Sequence, residues 1–249
     1  MAQFVLVHGS FHGAWCWSRL TPLLEAEGHR VVVPNLPGSG GDPAPIENAD
    51  LDSYATRIAG TIDGLRGPVV LVGHSMGGIV TSQVAELRPA RLAATVYVNG
   101  LLLRSGESLV SLLDAHAYLD VDDLVLKNMV VSPDGTTATF PVEKAAEVFY
   151  NTCRPSDAEW AAKQLMPQRT KIYADPLQLT SERYGRVPRF YVKGSKDNAV
   201  SPAYQEAMLK NTACEKVFTL DGDHSPFLYA TPELAGILTS LVSSSSKAT

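Results

Sequence analysis

A serine flanked by glycines is the residue of this sequence whose surroundings point most directly to chemistry. Ser75 stands in the segment Gly73–Gly77, which reads Gly-His-Ser-Met-Gly, between the apolar run Val69–Val72 and a helix-like stretch, Ile79–Leu87. A strand, a sharp turn and a helix in this order expose a serine hydroxyl at the top of a sheet. The glycines are needed because the turn leaves no room for side chains at those positions. The pattern predicts a nucleophilic serine.

A nucleophilic serine needs a base, and the base needs a group that orients it. Where the serine stands on such a turn, the chain order is serine, acid, histidine. His224 follows the last strand-like run of the chain, and Asp197 follows the run before it. We therefore predict a triad of Ser75, Asp197 and His224. Asp221 and Asp223 are competing acids, but they adjoin the histidine in sequence and are expected to shape its loop.

Two backbone amides could stabilise the negative charge that develops on a carbonyl oxygen under attack. The Met76 N–H lies where the predicted helix begins, and helix N-termini favour anions. The Ser10 N–H follows the run Phe4–Val7, whose carboxyl end should meet the same edge of the sheet. Gly9 would let the backbone approach the substrate, although an ordinary strand-to-helix turn also needs glycine. The sequence thus predicts an oxyanion hole formed by Ser10 and Met76.

Six short, mostly β-branched runs alternate with helix-like stretches over most of the chain. Continuous apolar runs are typical of strands buried on both faces, and their alternation with helices predicts a parallel sheet. The pattern breaks between about residues 104 and 186. We predict a core of residues 1–103 and 187–249, with residues 104–186 inserted as a lid over the carboxyl ends of the strands. The six runs are Phe4–Val7, Val31–Val33, Val69–Val72, Thr95–Val98, Phe190–Val192 and Val217–Leu220.

The lid is predicted to be mainly helical. Ser156, with Glu159 three residues later, is typical of a capping box that opens one of its helices. The segment Val130–Phe140 contains Pro-Asp-Gly at residues 133–135, which indicates a turn within a short hairpin.

Composition and charge exclude several classes of protein. Hydrophobic residues make up 45% of the 249, enough for a sizeable core. The formal charge of -5 and the scattered Lys and Arg argue against nucleic acid and against a membrane as partners. No apolar run reaches the ~18 residues that span a bilayer, and the N-terminus lacks the basic region of a signal peptide. Three cysteines, expected as free thiols in a reducing compartment, favour a cytoplasmic location.

Motifs for cofactors are missing from the sequence. No Gly-Lys-Ser/Thr follows a glycine-rich turn, and no Gly-x-Gly-x-x-Gly follows the first strand-like run. There is no His-Glu-x-x-His, and the six histidines are dispersed. We therefore expect neither a metal nor any other cofactor.

Beyond these motifs, the chain resembles the plant methylesterase and hydroxynitrile lyase group of the α/β-hydrolases, from Phe4 to about Val242. The resemblance implies an α/β-hydrolase fold: a mostly parallel six-stranded sheet, flanked by helices, with an inserted helical lid. Dimers are common in that group, which leaves a homodimer open for this chain. The similar segments are Phe4–Trp15, Asn35–Pro43, Phe149–Asp157 and Asp223-His224.

Two positions separate esterases from lyases in the resembling group. Its lyases carry Thr directly after the histidine of the first turn and Lys directly after the catalytic histidine. The hydroxyl would bind the cyanohydrin oxygen, and the ammonium would stabilise departing cyanide. Gly9 and Ser225 stand at these positions here and supply no fixed cation, so the resemblance implies an esterase.

We predict a serine carboxylesterase that hydrolyses small or medium carboxylic esters through an acyl-enzyme. The lid, with Gly9, Phe11, His12 and Leu102 at the mouth, would enclose a mainly apolar pocket for the small-molecule ester. For His12, a packed structural role is an equal alternative. Three other functions stay open: a lactonase or other esterase on the same triad, a hydroxynitrile lyase, and a hydrolase-like ligand receptor.

Overall fold

The computed structural model describes residues 1–119 and 121–245. Within this part of the chain, a central sheet and a small peripheral sheet account for the strands. The strands are β1 (Gln3–Val7), β2 (Arg30–Val32), β3 (Val69–His74), β4 (Leu92–Val98), β5 (Val130–Val131), β6 (Thr137–Thr139), β7 (Gln168–Arg169), β8 (Arg189–Gly194) and β9 (Lys216–Leu220).

The helices connect and cover these strands. Short 3₁₀ helices at Ala14–Trp17, Ile46–Asn48, Pro89–Arg91, Ala117–Leu119 and Tyr184–Arg186 complete the connections. The α-helices are α1 (Leu20–Ala26), α2 (Leu51–Asp63), α3 (Gly77–Leu87), α4 (Leu109–Ala115), α5 (Leu124–Asn128), α6 (Val142–Phe149), α7 (Pro155–Ala162), α8 (Lys171–Ala174), α9 (Pro202–Asn211), α10 (Pro226–Tyr229) and α11 (Thr231–Ser245).

The central sheet has six strands in the order β2-β1-β3-β4-β8-β9, and every neighbouring pair runs parallel. Successive residues of its inner strands face opposite sides, and each side has its own core. Val5 and Leu71 pack on the side of α2, α3 and α9. Phe4 and Val70 pack on the side of α1, α10 and α11. Helices on both faces explain why the strands are apolar runs without alternation, and the predicted fold class is confirmed.

Between β4 and β8 the chain leaves the central sheet and forms a region of short helices and short strands. The predicted hairpin is confirmed, since β5 pairs antiparallel with β6, and β7 adds a third strand that the sequence did not indicate. The capping box is wrong: α7 begins at Pro155, and its N-terminus has no side-chain cap. The reason is that proline occupies the first helical position, which places Ser156 inside the helix. The boundaries of the lid, 104–186, stay a prediction.

Two further observations concern the whole described chain. Cys16, Cys153 and Cys214 are free thiols. None of the helices in residues 1–119 and 121–245 combines the length and the apolar character that crossing a bilayer requires.

Candidate active site

Ser75 lies at the tip of the turn between β3 and α3. Its φ of +54° is left-handed. For a residue with a side chain this conformation costs on the order of 1–3 kcal/mol, so it persists only where the surroundings impose it. The surroundings do so through three backbone bonds: the Ser75 amide donates to the Val98 carbonyl at 3.2 Å, and the Ser75 carbonyl accepts from Gly78 and Leu101 at 2.9 Å each. The surrounding backbone therefore holds Ser75 in this conformation, and the residue lines the cavity described below.

The two glycines of the turn are required by close approach. A Cβ on Gly73 would collide with the Thr81 hydroxyl and the Gly77 carbonyl. A Cβ on Gly77 would lie 2.8 Å from the carbonyl oxygens of Val7 and His8 on the neighbouring strand end. Each contact is shorter than real Cβ atoms show, so the spacing read from the sequence has a steric cause.

Asp197 and His224 form a buried pair at the same edge of the sheet as Ser75. Asp197 Oδ2 lies 2.8 Å from His224 Nδ1, and the two residues are 2% and 1% exposed. The other carboxylate oxygen accepts from the amides of Ala199 and Val200, both at 2.8 Å. Because the backbone fixes the carboxylate, the histidine must hold its proton on Nδ1, which leaves Nε2 as the acceptor.

The two competing aspartates lie elsewhere. Asp221 is largely exposed and accepts from the Ser195 hydroxyl at 2.7 Å and from Lys196 at 3.0 Å. Asp223 is buried, but its carboxylate accepts from the amides of Ser225 at 2.8 Å and Thr152 at 2.7 Å. Asp223 therefore shapes the loop of the histidine, whereas Asp197 faces the imidazole.

Two polar residues that the sequence did not single out support this pair. Gln205 of α9 is fully buried and donates to Asp197 Oδ2 at 3.1 Å and to the Val200 carbonyl at 2.7 Å. Asn99, which follows β4, donates to the Asp223 carbonyl at 3.0 Å and accepts from the Gly194 amide at 2.6 Å. No motif marks either residue, because their roles depend on contacts between distant segments.

His74, next to the serine, also contacts the catalytic loop. Its Nε2 donates to the His224 carbonyl at 2.8 Å, and the two rings are 4.5 Å apart. Burial lowers the pKa of His74 well below the usual imidazole range. His74 thus stays neutral and holds the backbone of His224 without competing for its proton.

The amides of Ser10 and Met76 lie at the carboxyl ends of β1 and β3, on either side of Ser75. Neither amide donates to a protein acceptor within the described residues. A Cβ on Gly9 would lie 2.7 Å from the Ser75 Cβ, so the strand end carrying Ser10 approaches the serine as closely as glycine allows. Two free N–H groups beside the serine are the arrangement that an oxyanion requires.

His12 fixes the Ser10 segment through two hydrogen bonds. Its Nδ1 donates to the Ser10 carbonyl at 2.7 Å, and its Nε2 accepts from the Tyr150 hydroxyl at 2.9 Å. Burial lowers the pKa of His12 to about 3, so the ring is neutral at physiological pH. Phe11, between Ser10 and His12, has a left-handed φ of +63°, and its carbonyl accepts from the Met166 amide at 2.8 Å. Contacts from the region between β4 and β8 therefore fix the conformation of this turn.

A cavity opens in front of Ser75, with about 880 Å³ of free space including its mouth. Of the four residues expected around the substrate, Phe11 lines it, whereas Gly9, His12 and Leu102 lie behind its wall. Leu101 takes the place expected for Leu102, whose amide points away to the Met208 sulfur at 3.2 Å. The lining comprises Ser10, Phe11, Ser75, Met76, Leu101, Leu109, Val110, Leu112, Leu113, Asp123, Val125, Leu126, Met129, Phe149, Tyr173, Ala199, Val200 and Tyr204.

Residues 1–119 and 121–245 contain no group of three His, Cys, Asp or Glu side chains that could hold a metal ion. The polar side chains among the described lining residues are Ser10, Ser75, Asp123, Tyr173 and Tyr204.

A parallel sheet with a serine on the turn between a strand and a helix is typical of the α/β-hydrolases, and the match of the sequence to a protein-family model agrees with this class. Residues 4–237 match the alpha/beta hydrolase family, so the chain belongs to this family. An α-hydroxynitrile lyase of Arabidopsis thaliana is 32% identical over 239 residues, 91% of each chain. Methylesterase 7 of the same plant is 30% identical and aligns over 95% of this chain and 94% of its own length.

Solved structures and longer relatives complete the comparison. The crystal structure of methylesterase MES16 from Arabidopsis is 27% identical, with a TM-score of 0.82 and coverage of 98% of this chain and 99% of that chain. The chain spans 55% of the length of two chloroplastic proteins of Arabidopsis thaliana, to which it is 30% and 31% identical.

Proposed function

We propose that the protein is a serine carboxylesterase. The observation that carries the proposal is the buried Asp197–His224 pair, 2.8 Å apart, at the sheet edge that presents the strained Ser75. Relatives of similar length that are named methylesterases support ester hydrolysis as the chemistry. Among the described residues, the groups that line the site suffice for acyl transfer.

The reaction would proceed in two halves. Ser75 attacks the ester carbonyl while His224 Nε2 takes its proton, and the amides of Ser10 and Met76 stabilise the oxyanion, each worth about 3 kcal/mol. The imidazolium, stabilised by Asp197, then protonates the leaving alcohol as the acyl-enzyme forms. Water, deprotonated by His224, attacks the acyl-enzyme and releases the carboxylic acid and the free serine.

The cavity bears on the size and polarity of the ester. Its walls are mostly aliphatic and aromatic, as is usual for sites that bind small molecules. We therefore propose small or medium esters with apolar acyl or alcohol groups. A lactone, as a cyclic ester, would use the same groups.

The lyase alternative is weaker on steric and electrostatic grounds. A side chain at position 9 would start 2.7 Å from the Ser75 Cβ, which leaves no room for a threonine there without rearrangement. Ser225 is fully buried and carries no charge that could receive cyanide. Release of cyanide from mandelonitrile at a rate comparable with ester hydrolysis would favour the lyase over the esterase.

Turnover of p-nitrophenyl esters tests the proposal. We expect multiple turnovers in the purified protein, and a loss of at least ~10³-fold in Ser75→Ala. The exposed Ser18→Ala is the matched control and should keep full activity. A fluorophosphonate should add its mass to the peptide that contains Ser75. Activity that survives in Ser75→Ala would reject the mechanism, and binding without turnover would favour a ligand receptor.

A further inference from the structure

One carboxylate, Asp123, lies in the otherwise uncharged lining of the cavity. The described lining contains no Lys, Arg or His that could neutralise it. Asp123 is half-buried, belongs to the region between β4 and β8, and lines the same cavity as Ser75. Its position therefore brings a negative charge close to whichever part of the ester extends from the reacting carbonyl towards the lid.

The backbone holds Asp123 in this place. It is the N-cap of α5, where its Oδ1 accepts from the Leu126 amide at 2.9 Å. The same helix supplies Val125 and Leu126 to the lining, and Met129 follows directly after it. The carboxylate and the apolar lid wall consequently form one unit, and the charge cannot swing away without undoing the cap.

Among the described residues, no cation forms an ion pair with Asp123. Burial raises the pKa of Asp123 above the usual carboxyl range, as expected of a carboxylate that gains too little from its partners. The cation on α5, Lys127, pairs with the exposed neighbour Asp122 instead. Burial and the charge of Asp123 both raise the pKa of Tyr204, so the negative field reaches α9.

We propose that Asp123 determines specificity by excluding esters that carry a second, free carboxylate. The natural ester would then be uncharged or cationic beyond its reacting group. This inference rests on the proposed esterase function and adds a substrate class to it. Two like charges in an apolar cavity repel each other more than in bulk water, because apolar walls screen them less.

The test compares esters of equal length that differ in one carboxylate. On the acyl side these are p-nitrophenyl hexanoate and mono-p-nitrophenyl adipate, and on the alcohol side phenyl hexanoate and 4-carboxyphenyl hexanoate. The variant is Asp123→Asn, because asparagine keeps the N-cap. The matched control is Asp122→Asn, which removes the adjacent, exposed charge. Assays at pH 8 keep the carboxylates ionised.

In the wild-type protein we expect kcat/KM to favour the uncharged ester of at least one pair by about tenfold or more. Asp123→Asn should lower that ratio by about tenfold, equivalent to ~1.4 kcal/mol. Asp122→Asn should leave the ratio within about twofold of wild type. Asp123→Ser, which also keeps a capping oxygen, replaces the asparagine variant if that variant does not fold.

Failure of the inference about Asp123 can be distinguished from failure of the proposed esterase function. If both ratios stay at the wild-type value in Asp123→Asn, or fall equally in Asp122→Asn, the inference about Asp123 is overturned while the esterase stands. If the wild-type protein turns over none of the four esters, the proposed function itself fails.

Discussion

Replacing Asp197 by asparagine exchanges one oxygen for an NH₂ group and should disable the base without removing it. One carboxylate oxygen accepts from the amides of Ala199 and Val200 at 2.8 Å, so the asparagine oxygen should take that position. The NH₂ group then faces His224 Nδ1, which can only accept from it. The imidazole proton moves to Nε2, and the histidine can no longer take the proton of Ser75.

The structure bounds the size of this effect. To restore the productive tautomer, the asparagine must turn its oxygen towards His224 and leave the two buried amides without an acceptor. Turning leaves two amides without an acceptor, at about 1–3 kcal/mol each, but it gives an acceptor back to Gln205, which donates to the Oδ2 position. The productive form therefore lies roughly 1–3 kcal/mol higher. At 1.36 kcal/mol per factor of ten, kcat should fall between about 5-fold and about 150-fold. KM should change little, because Asp197 is 2% exposed and lies outside the lining of the cavity.

Steady-state kinetics on a p-nitrophenyl ester measures both constants, and circular dichroism confirms the fold of each variant. Asp221→Asn is the matched control, since this exposed aspartate removes the same charge near the same loop. Its kcat should stay within about twofold of wild type. The reasoning is refuted if Asp197→Asn keeps more than a third of wild-type kcat, or if both variants lose the same fraction.

Two further predictions concern the buried histidines. Tyr150→Phe removes the hydroxyl that donates to His12. Because Ser10 should then shift, we expect kcat to fall about tenfold at nearly constant KM. Tyr118→Phe, at an exposed tyrosine, is the control. Loss of stability without loss of kcat in Tyr150→Phe would contradict this role of Tyr150. Burial lowers the pKa of His8 to about 4 and of His12 to about 3, so below pH 6.5 the unfolded chain binds protons that the folded one does not. The free energy of unfolding, measured with urea, should fall by roughly 2 kcal/mol per histidine from pH 7 to pH 5, and an equal value at both pH values would refute this.

The sheet and the catalytic candidates could be predicted because their signals are local. A strand buried on both faces is an apolar run wherever it occurs, and the serine turn needs its glycines within four residues of one another. The acid and the histidine follow successive strands, β8 and β9, so parallel order brings them to one edge. Each step uses short-range patterns plus the rule that parallel strands end together.

The supporting residues could not be predicted, because burial decides their roles. Gln205 reads as an ordinary polar residue of a surface helix, yet it is fully buried against Asp197. Leu101 and Leu102 are equally apolar, and in a loop no periodicity tells which of them faces the cavity. For His12 the sequence left two interpretations open, and the choice depends on Tyr150, 138 residues away along the chain.

In the same way, the type of reaction could be predicted from the sequence, whereas the substrate could not. Ser75, His224 and the two free amides stand at the ends of strands, whose positions the whole sheet holds rigidly. Part of the cavity lining belongs to short helices such as α5, which bury too little apolar surface to form alone and are held in place by contacts with the core. Local sequence patterns therefore indicate acyl transfer but not the ester. On the proposed function, the choice of ester would depend on single residues of the region between β4 and β8, and Asp123 is the one whose charge should discriminate most strongly between candidate esters.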